Sequence, residues 1–166
     1  MVAAQDLIQQ AYNTLDVHTP LVGDCGLLCE RRCCQGEEYG MLLLPGEAML
    51  LGDVPGYSIV QSEGEDILLC NGSCNRRLRP YACRIFPLYP LVQAKSSGSY
   101  SQKIIFDPRA RAMCPLAQPQ HHISIFFCHL IRQSTALLLK NATIAHYLCE
   151  QSSFVEAVED IRLHLV

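Results

Sequence analysis

A chain of 166 residues, 49% hydrophobic and 17% charged, is long enough to bury a core of its own and too apolar to be disordered. Its formal net charge of -3 supplies no global attraction to nucleic acid or to an anionic membrane surface. No run approaches the roughly 20 apolar residues of a membrane span, so one folded domain over residues 1–166 is expected.

The opening stretch, MVAAQDLIQQAYNTL, lacks the basic n-region and continuous apolar run of a signal peptide and predicts an amphipathic helix over residues 4–15. A cytoplasmic location is therefore the expectation. In a reducing compartment clustered thiols hold metal more often than disulfides, and this chain has ten cysteines. On that reading the sequons Asn71-Gly-Ser73 and Asn141-Ala-Thr143 are chance matches.

CGLLCERRCC, residues 25–34, follows the helix. Cys25, Cys29 and Cys33 stand at i, i+4 and i+8, so on a helix they would line one face with neighbouring Cβ atoms about 5–6 Å apart. Cys34 would then point roughly 100° away. MLLLPGEAMLL comes next, an apolar run cut by Pro45-Gly46, which reads as a turn between a short strand and another element. Glu47 after that turn is the kind of residue a first helical turn favours.

YSIVQ and DILLC flank SEGE as a hairpin, and the second cysteine cluster begins where the second strand ends. That cluster, CNGSCNRRLRPYACRIFP, supplies Cys70, Cys74 and Cys83, and Cys114 follows in MCPL. YPLVQ and YSQKIIF surround AKSSGS as another strand pair, and Asp107 before Pro108 suits a turn. ISIFFCHLIRQSTALLLK has helical length, Asn141 offers a break, and SFVE at Ser153 reads as a capping box before a further amphipathic helix. His121-His122 looks like a helix start, and the remaining histidines stand apart. The expected fold is a small cysteine-rich α+β metal-binding domain with short antiparallel strands and a helical C-terminal part.

Four thiolates satisfy tetrahedral Zn²⁺, with Zn–S of about 2.3 Å, and four also satisfy an iron–sulfur cluster. The candidate metal ligands are Cys25, Cys29, Cys33, Cys34, Cys70, Cys74, Cys83 and Cys114. Their spacing chooses neither the metal nor the number of sites. Cys128 and Cys149 lie on apolar helical stretches and read as packing residues. Arg31, Arg32, Arg76, Arg77, Arg79 and Arg84 lie in or beside the clusters, where guanidinium groups would offset the net negative charge of a thiolate-bound metal; a solvated basic face is the equal alternative for Arg31, Arg32, Arg76 and Arg77, and reception of an anionic substrate or nucleic acid is a third. No aromatic residues interleave them as in RNA-binding modules, which argues against nucleic acid.

CGLLCERRCC, LLLPGE and above all CNGSCNRRLRPYACRIFPL resemble the YkgJ-like zinc- or iron-chelating domain family, named for a CxxCxxCC pattern. The resemblance spans about residues 22–118 and is densest at Cys70, Cys74, Arg79-Pro80, Cys83-Arg84 and Phe86-Pro87. The first cluster here is spaced C-x3-C-x3-CC, looser than that pattern, and residues 119–166 carry no part of the likeness. The resemblance implies chelation of zinc or iron, an iron–sulfur cluster included, by these cysteines. It also implies an acidic residue at the position of Glu47. The alternatives are a metalloenzyme related to flagellin lysine-N-methylase-type proteins and an interaction module held by a structural zinc. No phosphate loop, Rossmann glycine pattern or nucleophile elbow is present. The expected partner is a metal ion, with a protein partner left open.

Overall fold

The computed structural model describes residues 3–21, 23, 25–34, 40–53, 55–70, 75–117 and 123–164. At Leu28, Cys34, Arg76, Arg162 and Leu163 it describes the backbone alone. The first helix, α1 (Ala4–Leu15), forms where expected. Leu7, Ile8, Ala11, Tyr12 and Leu15 recur on one stripe of it and are all buried.

Two small antiparallel sheets follow. β1 (Met41–Leu42) and β2 (Tyr57–Ser62) flank β3 (Glu65–Cys70), with Met41 opposite Leu68 and Tyr57 opposite Cys70. Between β1 and β2 lies α2 (Glu47–Leu51), entered through Gly46 at φ 85°, a left-handed conformation that glycine adopts without steric cost. β4 (Leu88–Ala94) and β5 (Tyr100–Phe106) make the second sheet, joined by the predicted Ser/Gly turn. One short helix, α3 (Tyr81–Ile85), connects the two sheets.

The C-terminal part is helical. In α4 (Ile125–Leu138) the Ser124 side chain caps the start by accepting from the Phe127 amide. His121-His122, expected at a helix start, lies outside the described residues. α5 (Ala142–His164) begins at the Asn141 break, where the Asn141 side-chain oxygen accepts from the Thr143 and Ile144 amides at 3.1 and 3.2 Å. The expected capping box at Ser153 is not one. The helix runs through it, and the Ser153 hydroxyl donates to the Cys149 carbonyl one turn back.

α1 packs on α4, α5 packs on β4, and one hydrophobic cluster joins Ile8, Tyr12, Leu44, Tyr81, Val92, Phe127, Ile131 and Leu148. Buried polar bonds lock these layers together: the Ser152 hydroxyl accepts from the Val92 amide at 2.8 Å, and the Tyr81 hydroxyl lies 2.9 Å from Thr135 Oγ1. The fold is α+β, with its helical part sharing the main core. No helix among the described residues is long and apolar enough to cross a membrane.

Candidate metal centre

Cys25, Cys29 and Cys33 do not sit on one helix. The chain makes two short 3-10 turns, Cys25–Leu28 and Arg32–Cys34, separated by Glu30 and Arg31 in the left-handed region at φ 51° and 60°. Nothing in the residue spacing announces that interruption, because neither residue is a glycine. The Arg31 amide donates to the Gly26 carbonyl at 3.1 Å and the Arg32 amide to the Cys29 carbonyl at 3.1 Å, which closes the loop on itself.

This irregular loop nevertheless gathers its thiols. Cys25, Cys29 and Cys33 line one small cavity of about 40 Å³ together with Cys83 and Cys114. Three segments distant in sequence thus contribute five cysteines to a single place. Burial pushes the Cys114 thiol above its ordinary value, with neighbouring Cys29 adding to the rise. Among the described residues no three His, Cys, Asp or Glu side chains are drawn close enough to grip a metal ion as they stand. Cys70 lies apart from this group and lines a larger neighbouring cavity with Cys33 and Cys83. Cys74 lies outside the described residues, and of Cys34 only the backbone is described. Cys128 and Cys149 pack against the main core, as expected.

Cys83 and Cys114 are each positioned by local hydrogen bonds. Cys83 lies on α3 between two buried anchors, Tyr81 and Arg84. The Tyr81 amide donates to Glu47 Oε1 at 2.6 Å. The Arg84 guanidinium is buried, at 4% exposure, and donates from Nε to the Arg79 carbonyl at 2.7 Å and from Nη2 to the Arg77 carbonyl at 2.6 Å. It therefore orders the backbone that leads out of the second cysteine cluster. Cys114 follows a 3-10 turn, Pro108–Ala112, and its amide donates to the Ala110 carbonyl at 2.8 Å. Asp107 does more than suit a turn: it caps that element and takes a two-pronged ion pair from Arg109, at 2.8 and 2.6 Å.

Glu47 stands in the first turn of α2, and the structure adds partners that the first-turn reading did not supply. It is fully buried and accepts from the Tyr12 hydroxyl at 2.5 Å, the Leu44 amide at 2.7 Å and the Tyr81 amide. Burial pushes its carboxyl above the usual carboxylate range, while the bonds from Tyr12, Leu44 and Tyr81 and the Arg84 charge pull it back. Tyr12 completes the hub, lying beneath the Arg84 guanidinium with 4.1 Å from Cζ to the ring centroid. Sequence reasoning missed Tyr12 because a tyrosine on the apolar stripe of a helix gives no sign of its hydroxyl partner.

The cluster arginines divide in the same way. Arg31 and Arg79 line the thiol cavity, Arg32 and Arg79 line its larger neighbour, and Arg77 is exposed. No family model, curated protein or solved structure matches this chain.

Proposed function

We propose that the protein chelates zinc or iron through its clustered cysteines, with Cys25, Cys29, Cys83 and Cys114 as the core ligand set and Cys33 beside them. The observation that carries the reading is the convergence of these five thiols, from three separate segments, on one cavity. Thiolates are soft donors that suit zinc and iron–sulfur clusters, and four of them close a tetrahedral site. The cavity is small, and a modest inward movement of the loop at Cys25–Cys33 would bring its thiols towards Cys83 and Cys114. Arg31 and Arg79 on the same cavity would offset the negative charge of a tetrathiolate centre. The likeness of CNGSCNRRLRPYACRIFPL to a metal-chelating family points the same way.

Anaerobic purification followed by zinc, iron and sulfide determination and a visible spectrum tests this directly. A colourless protein with one zinc per chain identifies a zinc centre, and a coloured one with matched iron and sulfide identifies a cluster. Absence of both metals from protein purified in this way and offered each of them would overturn the proposal.

A further inference from the structure

We infer that the larger cavity beside the thiols is a binding site for a neutral aromatic small molecule. The cavity measures about 580 Å³, within the range of roughly 300–1,000 Å³ over which protein pockets enclose small molecules. Its lining comes from both sheets and from α3, and includes the buried side chains of Leu68, Ile85 and Leu88. The core elements themselves therefore shape it.

Two features of the lining define the ligand. The first is a soft, polarisable wall: Met41 and Met113 bring thioethers, and Cys33, Cys70 and Cys83 bring thiols. Tyr57, Phe86 and Tyr89 add rings. Sulfur beside a ring edge and ring pairs in offset or edge-to-face contact both favour an aromatic body over a saturated one of the same size. The second feature is that the charged groups are already answered. Arg109 donates two bonds to the buried Asp107 carboxylate, at 2.8 and 2.6 Å. Arg79 is engaged by another group of the protein, and Arg32 is exposed and keeps its head in water. A charged ligand would exchange its hydration for apolar walls and compete with pairs already made, whereas a neutral ring loses little on entry. Cys33 and Cys83 line this cavity and the thiol cavity alike, so its occupant lies beside two of the clustered thiols. The inference stands on the cavity and requires no metal among the thiols.

Calorimetric titration of the purified wild-type protein with 2-naphthol, decahydro-2-naphthol and 2-naphthoate tests the ring and the charge separately. 2-Naphthol is expected to bind saturably, about threefold or more tighter than its saturated counterpart of similar size. It should also bind about tenfold or more tighter than the anion. The place of binding is read in protein carrying ¹³C-labelled methionine methyl groups, without any substitution in the cavity. Nuclear Overhauser contacts from the naphthol ring should reach Met41, Met113 or both, and should be absent at Met49, which is 79% exposed and outside the cavity lining. No saturable binding of 2-naphthol, a saturated alcohol or an anion bound as tightly as 2-naphthol, ring contacts at neither Met41 nor Met113, or contacts at Met49 would each overturn the assignment.

Discussion

The Tyr12 hydroxyl donates to Glu47 Oε1 at 2.5 Å in the interior of the protein, joining the first helix to the turn that follows β1. The same oxygen receives the Tyr81 amide, so one carboxylate ties α1, the β1–α2 turn and the start of α3. α3 carries Cys83. A buried acid 36 residues earlier in sequence thus sets the position of a thiol, a link that no local pattern contains.

Glu47→Gln should destabilise the fold by about 1–3 kcal/mol, because the Gln amide nitrogen would face a backbone N–H where the carboxylate now accepts from Leu44. The pH dependence has a defined sign. The folded carboxyl is raised, so the folded state binds the proton more tightly than the unfolded chain, and the Glu47 contribution is fully present only below the unfolded value of about 4.3. It declines as pH rises through the raised folded value. Thermal melts from pH 4 upwards should show the stability gap between wild type and Glu47→Gln narrowing with pH. A gap that widens would contradict the raised carboxyl.

Arg84→Lys should lower the melting temperature and the metal content together. Lysine retains the charge but presents a single ammonium where the planar fork now reaches the Arg77 and Arg79 carbonyls simultaneously. Losing one such buried bond costs about 1–3 kcal/mol. Arg77→Lys, at an exposed position, should change stability by no more than about 0.5 kcal/mol. Equal behaviour of the two variants would show that the fork is dispensable.

Cys83→Ser and Cys114→Ser should each lose metal and lose stability in parallel, since a structural site links folding to binding across distant segments. Cys128→Ala and Cys149→Ala should retain the metal and cost on the order of 1 kcal/mol, the effect of trimming a small side chain that packs on the core. Cys70→Ser should behave like the packing pair in metal content, because Cys70 lines the larger cavity and not the small one. Metal analysis and thermal melts of the five variants separate the two groups, and loss of metal in Cys149→Ala would reassign the ligands.

Asn141→Ala should destabilise by about 1 kcal/mol, through loss of the cap that accepts from the Thr143 and Ile144 amides. Ser153→Ala should stay within about 0.5 kcal/mol of wild type, since Ser153 lies exposed inside a continuous helix. Urea unfolding of both variants distinguishes a helix that starts at residue 142 from one that starts at Ser153.

The amino-acid sequence alone determined the elements whose signals are local. Alternating apolar residues and turn chemistry specified the hairpins at residues 57–70 and 88–106, and the stripe from Leu7 to Leu15 specified α1. Where local and tertiary demands competed, the sequence signal failed. SFVE has the letters of a capping box, yet Ser153 and its neighbours continue α5 because Ser152 and Val155 are buried against the rest of the protein. The i, i+4, i+8 thiols have helical spacing, yet the chain breaks at Glu30 and Arg31. The density of cysteines in two clusters was legible as composition. The convergence of Cys25, Cys29, Cys33, Cys83 and Cys114 on one cavity was decided only by tertiary structure, through Arg84 holding the loop at residues 77–79 and Glu47 holding α3. The physical reason is range: propensity, capping and periodicity act within a few residues, whereas a buried carboxylate or guanidinium takes its partners from whatever the folded core brings within hydrogen-bond distance.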